Sequence, residues 1–226
     1  MANIDLEMGQ FQKVTTLENK DYIVVSLDNG TQGQIKVSDL ASVVAGIQIQ
    51  GNTFLTAGGL YEAVDLGLPS GLLWARCNIG ANSEEEIGDY FVWGTTCPIR
   101  IINSIAIDST NNYISSYANQ IKGDLLPNDD AASVLYGKRW RIPTRENFYE
   151  LFNHTTITYT SVNGINGRKF VSQNGNYIFL PSCGYILGTA ITGKNNVGEY
   201  WTRNIDDAER AWRLDFSIDG YRLYNG

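Results

Sequence analysis

Histidine is nearly absent from this chain: His154 is the only one among 226 residues. A Ser–His–Asp triad or a histidine-rich zinc site has little to be built from. Cysteine is also scarce, at three residues, and Cys77, Cys97 and Cys183 show no metal-ligand spacing. Cys77 and Cys183 sit in apolar phrases and read as small buried hydrophobes, with a Cys77–Cys183 bond left open by the sequence. Basic residues are outnumbered, 17 Lys and Arg against 24 Asp and Glu, for a formal charge of −7. An acidic chain without a basic cluster is repelled by a phosphate backbone, so nucleic acid is not expected as a partner. Long apolar runs are missing, and no stretch approaches the length of a membrane span. The start, Met-Ala-Asn-Ile-Asp-Leu-Glu, has neither a positive nor an apolar leader region, which predicts assembly in a cytoplasm.

What is present is a globular composition, 43% apolar and 18% charged, rich in glycine (23) and tyrosine (13). Such a chain buries a core without disulfide or metal staples. Three parts are expected: residues 1–50, a linker at 51–59, and a main domain at 60–226. In the first, Tyr22–Leu27 and Gln34–Val37 flank the turn phrase Asp28-Asn29-Gly30 and predict a hairpin. Ser38 is placed to cap a helix ending at Gly46, with Leu40, Val43 and Val44 on one face. So small a unit cannot close a core by itself, so that face is expected to anchor or oligomerise the chain. The linker reading rests on Gly51, Gly58 and Gly59 among Asn and Thr.

In the main domain, strands are expected at Gly71–Cys77, Tyr90–Trp93, Thr155–Thr160, Arg168–Ser172, Tyr177–Leu180, Tyr200–Thr202 and Ala211–Ser217. Turns are expected at Asn163-Gly164, Asn166-Gly167 and Asn174-Gly175. A short helix follows Pro127, with Asn128, Asp129 or Asp130 as cap, Ala131, Val134 and Leu135 on one face, and Gly137 as stop. Lys138–Ile142 is expected to be extended, because the residue before Pro143 avoids the helical region. Thr144 caps a second helix with Phe148, Leu151 and Phe152 turned inward. Two short helices among many short strands and long loops predict an α+β fold.

The candidate chemical groups have plain readings beside sharper ones. His154 reads as a helix-end residue, and Glu84-Glu85-Glu86 as a solvated turn. Lys138, Arg139 and Arg141 around Trp140 read as a strand edge pairing with acidic loops, the alternative being a polyanion site. Trp74, Trp93 and Trp140 read as core; Trp201 and Trp212 flank the loop 203–210. Asp206 and Asp207, beside Glu199 and Asn204, read as a solvated loop or as hard-oxygen calcium ligands. No catalytic residue, cofactor or metal site is assigned.

Five phrases carry a resemblance: EAVDLGLPSGLLWARCNIGA (62–81), GDYFVWG (88–94), LPNDDAASVLYGKRWRIPTRENFYELF (126–152), NGNYIFLPSCGY (174–185) and EYWTRN (199–204). As a set the chain resembles the Fibrobacter succinogenes major paralogous domain, a C-type-lectin-like module of surface proteins in gut Bacteroidales. The resemblance spans about 150 residues from Leu60 and implies a C-type-lectin-like fold, also used by formylglycine-generating enzymes and some phage receptor-binding proteins. The copper-binding cysteine pair of those enzymes is missing, and so is the Glu-Pro-Asn phrase of calcium-dependent lectins. The closing Gly-Phe-Ser-Val-Arg-Pro-Val strand of the family is not found either. The segment VSLDNGTQGQIKVSDL (25–40) resembles attachment segments of phage fibres from Bacteroidales viruses of the crAss-like kind. Together these resemblances imply a virion protein, a trimeric head (capsid) fibre contacting other virion proteins through residues 1–50, with a tail adhesin and a bacterial surface adhesin as alternatives. A glycan or a bacterial or mucosal surface is the implied ligand, met by loops 188–199 and 203–210 through Tyr200, Arg203, Asn204, Asp206, Asp207 and Arg210. Neither a membrane nor nucleic acid is implied as a partner.

Overall fold

The structure is a computed structural model. It describes residues 61–106, 123–207 and 210–225 in full, and, of residues 1–60, the backbone of strands at 11–19, 22–27, 32–36, 47–50, 53–56 and 59–60. Strands β1 (Phe11–Asn19), β2 (Tyr22–Leu27) and β3 (Gln32–Lys36) form an antiparallel sheet in chain order. The expected hairpin is therefore present, with Val25 opposite Gly33. The helix expected over 38–46, with Leu40, Val43 and Val44, lies outside the described residues.

A second sheet follows at once: β4 (Ile47–Gln50), β5 (Thr53–Thr56), β6 (Gly59–Asp65) and β7 (Leu73–Ala75). The expected linker is thus corrected, because residues 53–56 are an inner strand. Leu55 pairs with Ile47 on one side and Leu60 on the other, a two-sided ladder that a linker lacks. Only three residues of the expected strand at 71–77 are in β7.

Strands β8 (Ile101–Ile102) and β9 (Ile105–Ala106) precede helix α1 (Ala131–Tyr136) and helix α2 (Arg145–His154). Asp130 caps α1 by accepting from Ser133 N at 3.0 Å, and Gly137 ends it at φ 93°. The expected inner face is corrected in part: Ala131, Ala132, Ser133 and Tyr136 are buried, whereas Val134 is exposed. Thr144 caps α2 through a reciprocal pair of hydrogen bonds with Asn147, and Phe148 and Leu151 are buried as expected. His154 is exposed in the last turn of α2.

The rest is antiparallel: β10 (Thr155–Val162), β11 (Ile165–Ser172), β12 (Tyr177–Pro181), β13 (Tyr185–Leu187), β14 (Ala190–Thr192), β15 (Gly198–Ile205), β16 (Ala211–Ser217) and β17 (Gly220–Asn225). β10-β11-β12 and β15-β16-β17 are three-stranded meanders, and β13-β14-β9-β8 is a small four-stranded sheet, the fifth described. Asn163-Gly164 and Asn174-Gly175 lie at turns as read. Asn166-Gly167 instead lies inside β11, where Gly167 is required because an added Cβ would sit 2.4 Å from Leu180 O and 2.5 Å from the Phe179 ring. β17 went unread in the sequence. Among the described residues, two short helices beside these sheets make the architecture α+β.

The main core is built from α2 and the two meanders. Leu66, Leu68, Trp74, Phe148, Leu151, Phe170, Ile178, Leu214 and Phe216 form one buried cluster. Trp93, Leu125 and Ala211 form a smaller one, with Ile142, Trp201 and Ile205 against it.

Candidate functional site

Tyr90–Trp93 and Lys138–Ile142, both expected as extended strands, are irregular segments. They are held by hydrogen bonds between side chains and backbone that tie them to distant parts of the chain. Trp93 donates its indole N–H to Thr202 O at 2.8 Å, and the Tyr90 hydroxyl donates to Cys183 O. Gly137 and Trp140 close a turn at 2.8 Å, and buried Asp130 accepts Ile142 N at 3.0 Å. Trp201 donates its indole N–H to Phe91 O at 3.1 Å, pinning the same region from β15.

Between these segments and the main core lies a cavity of about 380 Å³. Each of the five phrases supplies part of its wall: Leu72–Ile79, Asp89–Phe91, residues between Ala131 and Phe148, Phe179 to Cys183, and Glu199–Trp201. The wall is mainly aromatic and aliphatic, with Trp74, Phe91, Trp140, Phe148, Phe179 and Trp201 contributing rings. A volume of this size is in the range of small-molecule sites, about 300–1,000 Å³.

The polar groups in the wall are mostly committed. The Tyr200 hydroxyl donates to Pro181 O at 2.7 Å and accepts Asn78 Nδ2 at 3.1 Å. Tyr136 accepts Gly80 N at 2.8 Å. The Cys77 thiol contacts Ala81 O at 3.4 Å and the Cys183 thiol contacts Gly184 O at 3.4 Å. Cys77, Cys97 and Cys183 are all free, so the bond left open between Cys77 and Cys183 is not formed. Burial raises the pKa of the Cys77 thiol and pushes that of Cys183 up to about 11, which keeps both protonated and weakly nucleophilic at neutral pH. Desolvation also raises the Asp89 and Glu199 carboxyls, and Arg213, 3.2 Å from Glu199, opposes part of the latter shift.

Backbone geometry explains why the fourth and fifth phrases meet here. Gly184 and Gly198 bridge in parallel, and Gly184 N donates to Val197 O at 2.7 Å. Gly184 has φ 72°, and a Cβ there would lie 2.4 Å from Thr192 O. A Cβ on Gly198 would strike the Phe216 ring. Only glycine permits this approach.

The six residues predicted to contact ligand do not share one face. Tyr200 is half-buried, stacks on Phe216 with centroids 6.0 Å apart, and belongs to the cavity wall. The Arg203 guanidinium donates to Leu125 O. Asn204 accepts Arg145 N and donates to Asp124, each at 2.8 Å. Asp206, Asp207 and Arg210 do gather together, Arg210 lying 2.5 Å from Asp207 and 3.7 Å from Asp206, and Asn225 donates to Asp206 at 2.8 Å. Loop 188–199, read as a binding loop, contains β14 and the start of β15. Strand parity was the available signal: Tyr200 and Thr202 point opposite to Trp201 and Arg203.

The face of β15-β16-β17 that carries Trp201 holds two cross-strand rows that sequence reading missed. Trp201, Arg213 and Tyr224 stand opposite one another, with the Arg213 guanidinium 5.9 Å and 5.1 Å from the two ring centroids. Glu199, Asp215 and Arg222 form the next row, Arg222 pairing with Asp215 at 3.1 Å. Among the described residues, no group of three or more His, Cys, Asp or Glu side chains is arranged to hold a metal ion. No described helix is long and apolar enough to cross a membrane. No family model, no curated protein and no solved structure matches the chain.

Proposed function

We propose that the chain is a structural protein of a Bacteroidales phage virion, a capsid (head) fibre that displays a C-type-lectin-like module, residues 60–226, for weak adhesion to a glycan or a bacterial or mucosal surface. One observation carries the reading. The five phrases behind the family resemblance, scattered between residues 62 and 204, pack as one frame around one cavity. Residues 1–50, with their own β-sheet, attach the module to other virion proteins and trimerise it, with Leu40, Val43 and Val44 as the apolar contact. Adhesion falls to Tyr200, Arg203, Asn204, Asp206, Asp207 and Arg210, of which Asp206, Asp207 and Arg210 form one cluster. The protein is not an enzyme in this reading and needs no cofactor, nucleic acid or membrane. Weak single sites suffice when many copies act together.

Immunogold labelling of intact virions with an antibody against residues 60–226 tests this. Gold over the capsid is the expected result. Gold confined to the tail assigns the module to a tail adhesin instead, and particles without gold overturn the virion reading.

A further inference from the structure

The basic phrase around Trp140 was read as pairing with acidic loops, yet Arg139 and Arg141 are exposed and neither makes an ion pair among the described residues. Both line the cavity described above. Its interior offers few open polar partners, because the tyrosine hydroxyls, thiols and Trp201 indole N–H bind backbone groups or Asn78. A hydroxyl-rich sugar placed inside leaves its own groups unpaired, at a cost of about 1–3 kcal/mol for each. An apolar body suffers no such loss. The exposed charged side chains of the wall are these two guanidinium groups and one carboxylate, Asp89, whose pKa desolvation raises.

We propose that this cavity is a binding site for a small anionic amphiphile, its apolar ring or chain lying among Trp140, Phe148 and Trp201 and its single anionic head paired with Arg139 and Arg141. The interior selects by shape and hydrophobicity, and the mouth selects by charge. The site is independent of the virion reading: labelling and ligand binding are separate measurements, and either can fail alone.

The test uses the full chain and two fluorescent probes with similar ring systems, the anion anilinonaphthalene sulfonate and neutral phenylnaphthylamine. Near-UV circular dichroism confirms that each variant is folded. Wild type is expected to bind both probes with one-to-one stoichiometry, the anion more tightly. Replacing both arginines, Arg139→Ala with Arg141→Ala, is expected to weaken the anionic probe about tenfold, the equivalent of ~1.4 kcal/mol, and to leave the neutral probe nearly unchanged. Ala132→Phe, which places a ring in the cavity from α1, is expected to abolish both. The proposal is overturned if the folded wild type binds neither probe, if the arginine variant binds the anion as well as wild type, or if Ala132→Phe leaves binding intact. Chemical shifts at the Trp140 and Trp201 indoles provide a second readout: the expected result is movement of both on adding the anionic probe, and no movement counts against the proposal.

Discussion

The two sides of the cavity are ordered by different means. On one side, α2 lies against the two meanders, and Phe148, Leu151, Phe170, Leu214 and Phe216 interlock with 2% exposure or less. On the other, residues 77–94 and 137–143 have almost no regular structure. They are held by single long-range hydrogen bonds from Trp93, Tyr90, Trp201, Tyr61 and Asp130. The first side is fixed by packing and the second by pinning. A pinned wall does not have to fill space, so a cavity persists where the two sides meet.

The largest expected effect comes from the packed side. Leu214→Ala removes a fully buried side chain and is expected to cost about 2–5 kcal/mol in urea unfolding. Phe91→Ala, in the wall that already faces open space, is expected to cost less than half as much. Equal costs would erase the distinction between the two sides.

Next comes a pin. Asp130 is fully buried and serves two strings of backbone, Ser133 at the start of α1 and Ile142 beyond its end. Asp130→Ala leaves both N–H groups without their acceptor and is expected to cost about 2–3 kcal/mol. Its signature is faster hydrogen exchange at 131–142 while β10 to β12 keep their protection.

A pH dependence sharpens the comparison further. The Cys183 pKa is raised from 9.0 to about 11 by burial, so the folded state favours the neutral thiol. The stability this contributes is complete below pH 9 and is lost as pH rises through about 11. Buried Tyr61 and Tyr136 and half-buried Tyr90 and Tyr200, all raised chiefly by desolvation, add losses of the same sign at alkaline pH. The urea midpoint is therefore expected to fall above about pH 9, with a shallower slope in Cys183→Ala. At neutral pH, a thiol reagent is expected to label exposed Cys97 and to spare Cys183 until the protein unfolds.

The smallest effect belongs to the solvent-open Arg222–Asp215 pair on β16 and β17. Arg222 is exposed and its pair with Asp215 is open to solvent, so Arg222→Ala is expected to change stability by about 0.5 kcal/mol or less. A large loss there assigns that pair a structural role.

Much of the packed side was legible in the sequence. Alternation with Asn-Gly turns marked β10, β11 and β12, and Thr144 as a cap marked the start of α2. These are local signals acting over two to four residues. The pinned side was not legible for the opposite reason. Tyr90–Trp93 alternates like a strand, but the group that fixes Trp93 is Thr202, 109 residues away. Gly167 reads as a turn residue until the Phe179 ring on the neighbouring strand is placed beside it. The site behaves in the same way. Trp74, Trp140 and Phe148 were assigned to the core, and the space between them exists only in three dimensions.

Xenon pressurisation of crystals of the protein tests most directly whether these phrases build a preformed apolar cavity. Xenon enters dry apolar cavities without needing hydrogen bonds. The account requires a xenon site among Trp140, Phe148 and Trp201. Ordered water filling that space, or walls closed onto one another with no room for an atom, contradicts it.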